Sequence, residues 1–365
     1  MKYFFGFLLS VAASLLFLSP VRADALPRRD LFVTVIQEPQ ILASRQAIAD
    51  LVAYAKQAGI GTLFVQVYRA NQSWFPSKVA DQSPYEICLK NVGEDPFALL
   101  IKQAHNEGIQ VHAWINLLSL SKNRKSPLLK QYGASILTRS KQKKKNLDDY
   151  QIDQQFFLEP GDPRVRTALL SMVGELVRTY PSLDGVQFDY IRYPDQDPHY
   201  GYTPINIDRF KKASGQDSID DDSKIWKDWK RAQVTALLQR LIKKVRFLRP
   251  DIKVSTTGCS PYTRAFDEAF QDWPSWVNTG LVDFVTVMTY AADTTDFDKF
   301  MADALVRVTD PKRLNIAVGA YQQIKSPERF MAQLDLCRKV SSGSCVIFHY
   351  GSLLESSALK DSLIK

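Results

Sequence analysis

A single α/β domain folded as a (β/α)8 TIM barrel is what this sequence predicts, on three observations. Short β-branched or aromatic runs alternate with longer amphipathic stretches, the mark of βα units around a parallel sheet. The strand candidates number eight, each followed by a helix candidate. Capping side chains stand ahead of proline at three helix starts, Asp95-Pro96, Asp162-Pro163 and Ser326-Pro327. In chain order the spacing predicts strands over Leu31–Ile36, Thr62–Tyr68, Gln110–Asn116, Gly185–Tyr190, Lys253–Thr257, Phe284–Tyr290, Asn315–Ala320 and Cys345–Tyr350. The helices predicted after them are Ser44–Ala58, Pro96–Glu107, Pro163–Thr179, Ile225–Leu248, Asp267–Thr279, Thr295–Val308, Pro327–Val340 and Leu353–Ile364. A barrel of this type needs about 250 residues, so the surplus in a 365-residue chain falls in loops. Two are long: Leu117 to Gly161 after strand three, with the basic run Lys141-Gln142-Lys143-Lys144-Lys145, and Arg192 to Ser223 after strand four. Both leave carboxyl ends of strands, where barrel enzymes place their chemistry.

The amino end reads as a secretory leader. Lys2 precedes the apolar run Tyr3 to Leu18, and Val21-Arg22-Ala23-Asp24-Ala25 offers small residues for cleavage after Ala23. The run is shorter than the roughly 20 residues of a spanning helix, and no cysteine stands near the cleavage point to carry a lipid. The expectation is a signal peptide over 1–23, a barrel over 24–365, no integral membrane segment once the leader is removed, and an exported protein, periplasmic or extracellular. Loss of Lys2 and Arg22 takes the formal charge from +8 to +6, an excess that suits a solvated surface or an anionic polymer.

Export permits disulfides, and four cysteines allow three pairings; Cys337 and Cys345, close across one loop, are the expected pair, with Cys88 and Cys259 left over. His105, His112, His199 and His349 are scattered without metal-ligand spacing. No metal is expected. The chain shows no dinucleotide glycine fingerprint and no P-loop, so no cofactor is expected; no nucleic-acid partner is expected either.

The most informative stretch is Asp184-Gly185-Val186-Gln187-Phe188-Asp189-Tyr190-Ile191-Arg192-Tyr193-Pro194. Alternation puts Gln187 and Asp189 on one face of strand four, and a carboxylate near a strand end needs a partner, for which Arg192 is the candidate. This stretch resembles the strand-four motif D-G-x-x-F-D-Y-I-R-Y-P of the bacterial glycosyl hydrolase-like 10 proteins. Val111-His112-Ala113-Trp114-Ile115-Asn116, Gln271-Asp272-Trp273-Pro274-Ser275-Trp276 and Val287-Met288-Thr289-Tyr290 match the same family in the same order. Arg69-Ala70-Asn71-Gln72-Ser73-Trp74 departs from the Arg-x-Gly-Asp that relatives often carry after strand two. The stretch is also similar to D-G-x-D-x-D-x-E of chitinase-type family 18 glycosidases, but Gln187 and Ile191 replace two of its acids, so that mechanism would lack its proton donor.

The resemblance implies glycoside hydrolysis, with a polysaccharide or oligosaccharide as partner. That reaction needs two carboxyl groups, one protonating the leaving oxygen and one serving as nucleophile or base. Asp189 fits the second role. For its partner the candidates are Asp293, just beyond strand six and favoured because strand six faces strand four across many retaining barrels, and Glu38, just beyond strand one. Sugars also need aromatic faces and planar polar groups; Tyr68, Trp74, Trp114, Tyr190, Tyr193 and Tyr290, with Asn116, Arg192, Gln322 and His349, stand at predicted strand ends. Two rival expectations are a glycan-binding barrel without turnover and a phosphate site where Gly351-Ser352 opens the last helix.

Overall fold

Alternating side chains along eight short strands decide the architecture. In the computed structural model, which describes residues 28–364 except 196, 341 and 342, the barrel strands are β1 (Arg28–Val33), β2 (Ile60–Arg69), β3 (Gln110–Asn116), β4 (Gly185–Asp189), β5 (Lys253–Cys259), β6 (Phe284–Met288), β7 (Leu314–Gly319) and β8 (Ser344–Phe348). The leader expected over 1–23 lies outside the described residues. Each strand pairs in parallel with the next, and β1 pairs with both β2 and β8, which closes the ring; the two-residue strand Gln72–Ser73 folds back antiparallel on β2. Leu63, Val111, Val186, Val285 and Ile316 point outward and are fully buried beneath the helices. Phe32, Phe64, Trp114, Ala317 and Val346 point inward and form a separate cluster inside the barrel.

The surrounding helices are α1 (Arg45–Gln57), α2 (Pro96–Asn106), α3 (Pro163–Thr179), α4 (Lys224–Leu248), the pair α5 (Tyr262–Asp267) and α6 (Trp273–Asn278), α7 (Thr294–Leu305), α8 (Pro327–Lys339), and the pair α9 (Tyr350–Glu355) and α10 (Ser357–Ser362). Asp95 and Asp162 cap as expected, accepting hydrogen bonds from the amides of Ala98 and Arg164; Ser326 does not cap with its side chain. The helix expected over 267–279 is instead broken, because Phe270 adopts φ +52 and Asp272 caps a new start with proline in its first turn. The last helix divides at Ser356, whose extended backbone and side chain cap the second piece. Strand one stops at Val33 because the next two amides leave the ladder: Thr34 donates to Gln37 Oε1 at 3.2 Å and Val35 to Gln66 Oε1 at 3.3 Å.

Of the two long loops, the first carries the helix Pro127–Tyr132 and a small ladder, Ser119–Ser121 with Phe156–Phe157; the second carries the helix Pro204–Ser214. They brace each other through Tyr202, whose amide donates to the Arg139 carbonyl at 3.0 Å, and through a Lys141–Asp221 ion pair at 2.6 Å. Cys337 on α8 and Cys345 on β8 form a disulfide, eight residues apart, while Cys88 and Cys259 are buried thiols. A bridge over so short a span stabilises by about 2 kcal/mol through restriction of the unfolded chain. The double variant Cys337→Ser/Cys345→Ser is therefore expected to melt several degrees below the oxidised protein, and reductant is expected to bring the parent down to it; equal melting temperatures would count against this.

Candidate active site

β4 enters the barrel interior with Gln187 and Asp189 on its inner face and ends at the carboxyl rim, so the strand itself delivers a carboxylate to the mouth. Asp189 is 4% exposed and its two oxygens accept three hydrogen bonds. Oδ1 takes the hydroxyl of Thr257 on β5 at 2.5 Å and the amide of Tyr190 at 2.7 Å; Oδ2 takes the indole Nε1 of Trp114 on β3 at 3.0 Å. The Tyr190 amide reaches back because Tyr190 adopts φ +50, a left-handed conformation costly for a bulky residue and stored where the strand ends. Donors from β3, β5 and the chain's own turn thus fix the carboxylate plane.

Asn116 lies in register with Asp189 on the neighbouring strand, and its Oδ1 accepts from Gln66 Nε2 at 3.1 Å, which ties β2 to β3 at the same level. Above this layer stands an aromatic rim. Tyr290 packs against Phe348 at 4.9 Å and Tyr321 at 5.6 Å between centroids, and His349 meets the Phe348 ring at 5.0 Å. Burial first, and the neighbouring Asp189 charge second, hold the Tyr290 hydroxyl well above its ordinary pKa, while burial pushes His349 below its own. Tyr321, 40% exposed, was not among the sequence candidates, although an aromatic residue just past a strand end is the same signal that selected Tyr290. Gln322 donates to the Tyr321 hydroxyl at 3.1 Å and so belongs to this rim.

Several candidates stand elsewhere. Arg192 pairs with Asp195 at 2.9 Å and stacks 4.7 Å over the Tyr190 ring; it is not the partner of Asp189. Trp114 is 4% exposed with Phe32 4.9 Å from its ring, so it holds Asp189 instead of offering a platform to a sugar. Tyr68 and Tyr193 are each 1% exposed: Asn71 donates to the hydroxyl of the first, and the second donates to Glu159 at 2.5 Å. Trp74 is buried in the same outer core. Asp293 is exposed and caps α7, accepting from the Asp296 amide at 2.9 Å, and that bond holds its carboxyl below the ordinary range. A proton donor needs the opposite shift. Glu38 is exposed and makes no hydrogen bond or ion pair with the described residues. Ser352 is 1% exposed inside the short α9, so the expected phosphate site is closed. Among the described residues no group of three or more His, Cys, Asp or Glu is placed to hold a metal, and no helix is long and apolar enough to cross a membrane.

The family model described as glycosyl hydrolase-like 10 matches residues 29–334, a span that includes every strand of the barrel up to β7. The chain belongs to the glycosyl hydrolase-like 10 family. Among curated members it is 27% identical to glycosyl hydrolase DigH from Escherichia coli strain CFT073 over 317 residues, covering 78% of this chain and 67% of that protein. It is 21% identical to glycosyl hydrolase YngK from Bacillus subtilis strain 168 over 267 residues, covering 67% of this chain and 49% of that one. The catalytic domain of a β-amylase from Paenibacillus polymyxa superposes with a TM-score of 0.57 at 11% identity, covering 93% of this chain and 98% of that domain. At that identity the likeness concerns the (β/α)8 barrel alone. In this family member a carboxylate held by three donors stands at the carboxyl rim of the barrel.

Proposed function

We propose that this glycosyl hydrolase-like 10 protein is an exported glycoside hydrolase, periplasmic or extracellular, acting on a bacterial envelope or environmental polysaccharide, with Asp189 as nucleophile or general base. The observation that supports this most is the immobilised carboxylate: each of its oxygens is engaged by a donor from the barrel wall, which leaves it little rotational freedom, and the rim of Tyr290, Tyr321 and Phe348 supplies the apolar faces a pyranose stacks on. Glu38 takes the acid role in this reading, since its carboxyl group is uncommitted whereas that of Asp293 caps a helix.

The second reading, a glycan-binding barrel without turnover, is favoured by the same helix cap, which removes one of the two candidate acids. Reducing-end release and binding, measured in parallel on a glycan panel, separate the two. Hydrolysis predicts release by the parent chain. Glu38→Gln should then lose release of ordinary sugar leaving groups while keeping most of its turnover of an activated aryl glycoside, whose departing phenolate needs no proton. Binding with no release by the parent chain would establish the second reading, and equal loss on both substrates would take the acid role from Glu38.

A further inference from the structure

The opposite, amino end of the barrel is not filled in the ordinary way. Barrel interiors of this type are packed with layers of bulky branched side chains. Here the amino-terminal layer is built from Asp30, Thr62, His112, Gly185, Asn315 and Ser344 instead, and a cavity of about 520 Å³ opens there, a volume within the range of small-molecule sites. All five of its side chains are deeply buried: Thr62 is 2% exposed, Asp30 and His112 3%, Ser344 4% and Asn315 5%. The His112 ring lies directly over Gly185, where even a Cβ would come within 2.3 Å of it, so the glycine is what admits the imidazole to the interior. That ring makes no hydrogen bond with any described residue: its Nδ1 is sealed against Gly185, and Nε2 is the nitrogen left to face the cavity. Buried polar groups are nearly always bonded, so an imidazole left open on a cavity wall points to a missing ligand.

The other walls narrow the chemistry. Phe64 and Phe284 flank His112, with ring centroids 5.2 and 5.9 Å from it, and supply apolar faces. Asp30 accepts from Arg28 Nε at 3.2 Å on one side of the cavity. At the rim, Lys253 and Lys312 are exposed and, among the described residues, have no carboxylate within ion-pairing distance. Arg313 also reaches the rim but is already engaged by the carbonyls of Val282 and Asp283. Burial holds His112 at about 4, so it meets a ligand as a neutral imidazole, a group suited to hydroxyls.

We propose that this amino-end cavity is a second binding site, distinct from the Asp189 mouth, for a monosaccharide-sized acidic sugar. The sugar's apolar face rests against the Phe64 and Phe284 edge-to-face pair, whose centroids are 6.3 Å apart, hydroxyls reach Asp30, His112 and Asn315, and the acidic group meets Lys253 and Lys312. The shared chemistry is a polyol carrying one carboxylate or phosphate, and glucuronate and glucose 6-phosphate distinguish the two sources.

Titration calorimetry on the mature chain with these two sugars, glucose and inorganic phosphate tests it. At least one acidic sugar should bind at millimolar Kd or tighter, with glucose and phosphate each at least tenfold weaker. The exposed pair Lys253→Gln/Lys312→Gln, checked for an unchanged melting temperature, should weaken that binding at least tenfold, and Asp189→Asn should leave it unchanged. No binding of either acidic sugar, equal binding of glucose or of phosphate, or equal binding by the lysine double variant would each overturn the proposal. Loss of binding in Asp189→Asn would return the ligand to the mouth. Because the readout is binding at the far end of the barrel, failure here leaves the hydrolase reading untouched, and the reverse holds too.

Discussion

Asp189→Asn is expected to lower reducing-end release by about 10²- to 10⁴-fold, the range removed with a positioned acid–base or nucleophilic group, while the chain stays folded. The amide is nearly isosteric. Its carbonyl oxygen can keep accepting from Thr257 and from the Tyr190 amide, but the side facing Trp114 Nε1 becomes a donor opposed to a donor. Some stability is lost with that mismatch, about 1–3 kcal/mol for a buried donor left unpaired, so melting is measured beside activity. Trp114→Phe separates positioning from chemistry: it keeps the carboxylate but removes its Oδ2 donor, and about a tenfold loss is expected from looser orientation. A ranking in which Asp189→Asn is far worse than Trp114→Phe, with glycan binding kept in both, is the expected result. Undiminished release by Asp189→Asn would take the residue out of the mechanism.

How far the site could be read from the sequence depends on which geometric variable a residue's place turns on. Period-2 alternation gives the side of a strand, and it places Gln187 and Asp189 together, as they are in β4. Alternation fails where the register slips. Between Gln66 and Tyr68 the β2–β3 pairing shifts, so Tyr68 sits opposite Ile115 and joins the outer core instead of following Gln66 into the mouth. Depth along the barrel axis is also invisible to a pattern of two, which is why Trp114 read as a platform when it lies one layer below the rim. Arg192 pairs with Asp195 and not with Asp189, because that contact is set by a loop whose path no periodicity encodes. Asp293 is different, for the sequence held the answer: Asp followed by Thr294-Thr295-Asp296 before an amphipathic run is a helix-start signal, and a carboxylate spent on capping is unsuited to giving up a proton. The buried bond from Tyr193 to Glu159 had no sequence signal, since it joins the two long loops across 34 residues.

Lys230→Met is expected to stabilise the protein at neutral pH. Lys230 lies on α4 with none of its surface exposed; its ammonium donates to the Pro198 carbonyl at 2.6 Å and sits 3.8 Å from the centre of the Phe270 ring. Burial pushes its pKa down from the ordinary 10.5 to about 7, with Lys227 and Arg231 adding to the fall and Asp221 and Glu159 opposing it. Between those two values the unfolded chain holds a proton that the folded chain does not. The contribution of this group to stability therefore declines as pH falls from about 10.5 to about 7, and is constant below. The full penalty is on the order of 5 kcal/mol, and about 4 at pH 7, where the folded lysine is half protonated. Methionine removes it but also forfeits the bond to Pro198 and the contact over Phe270, together worth about 2 kcal/mol, so a net gain of about 2 kcal/mol at pH 7 is expected. Urea unfolding of parent and variant at pH 7, 8.5 and 10 gives the decisive comparison: the advantage of the variant should shrink as pH rises and reverse once the lysine is neutral in both states. An advantage independent of pH would assign the effect to apolar packing, and a variant less stable at every pH would show that the bond to Pro198, which anchors the loop after β4, outweighs the buried charge.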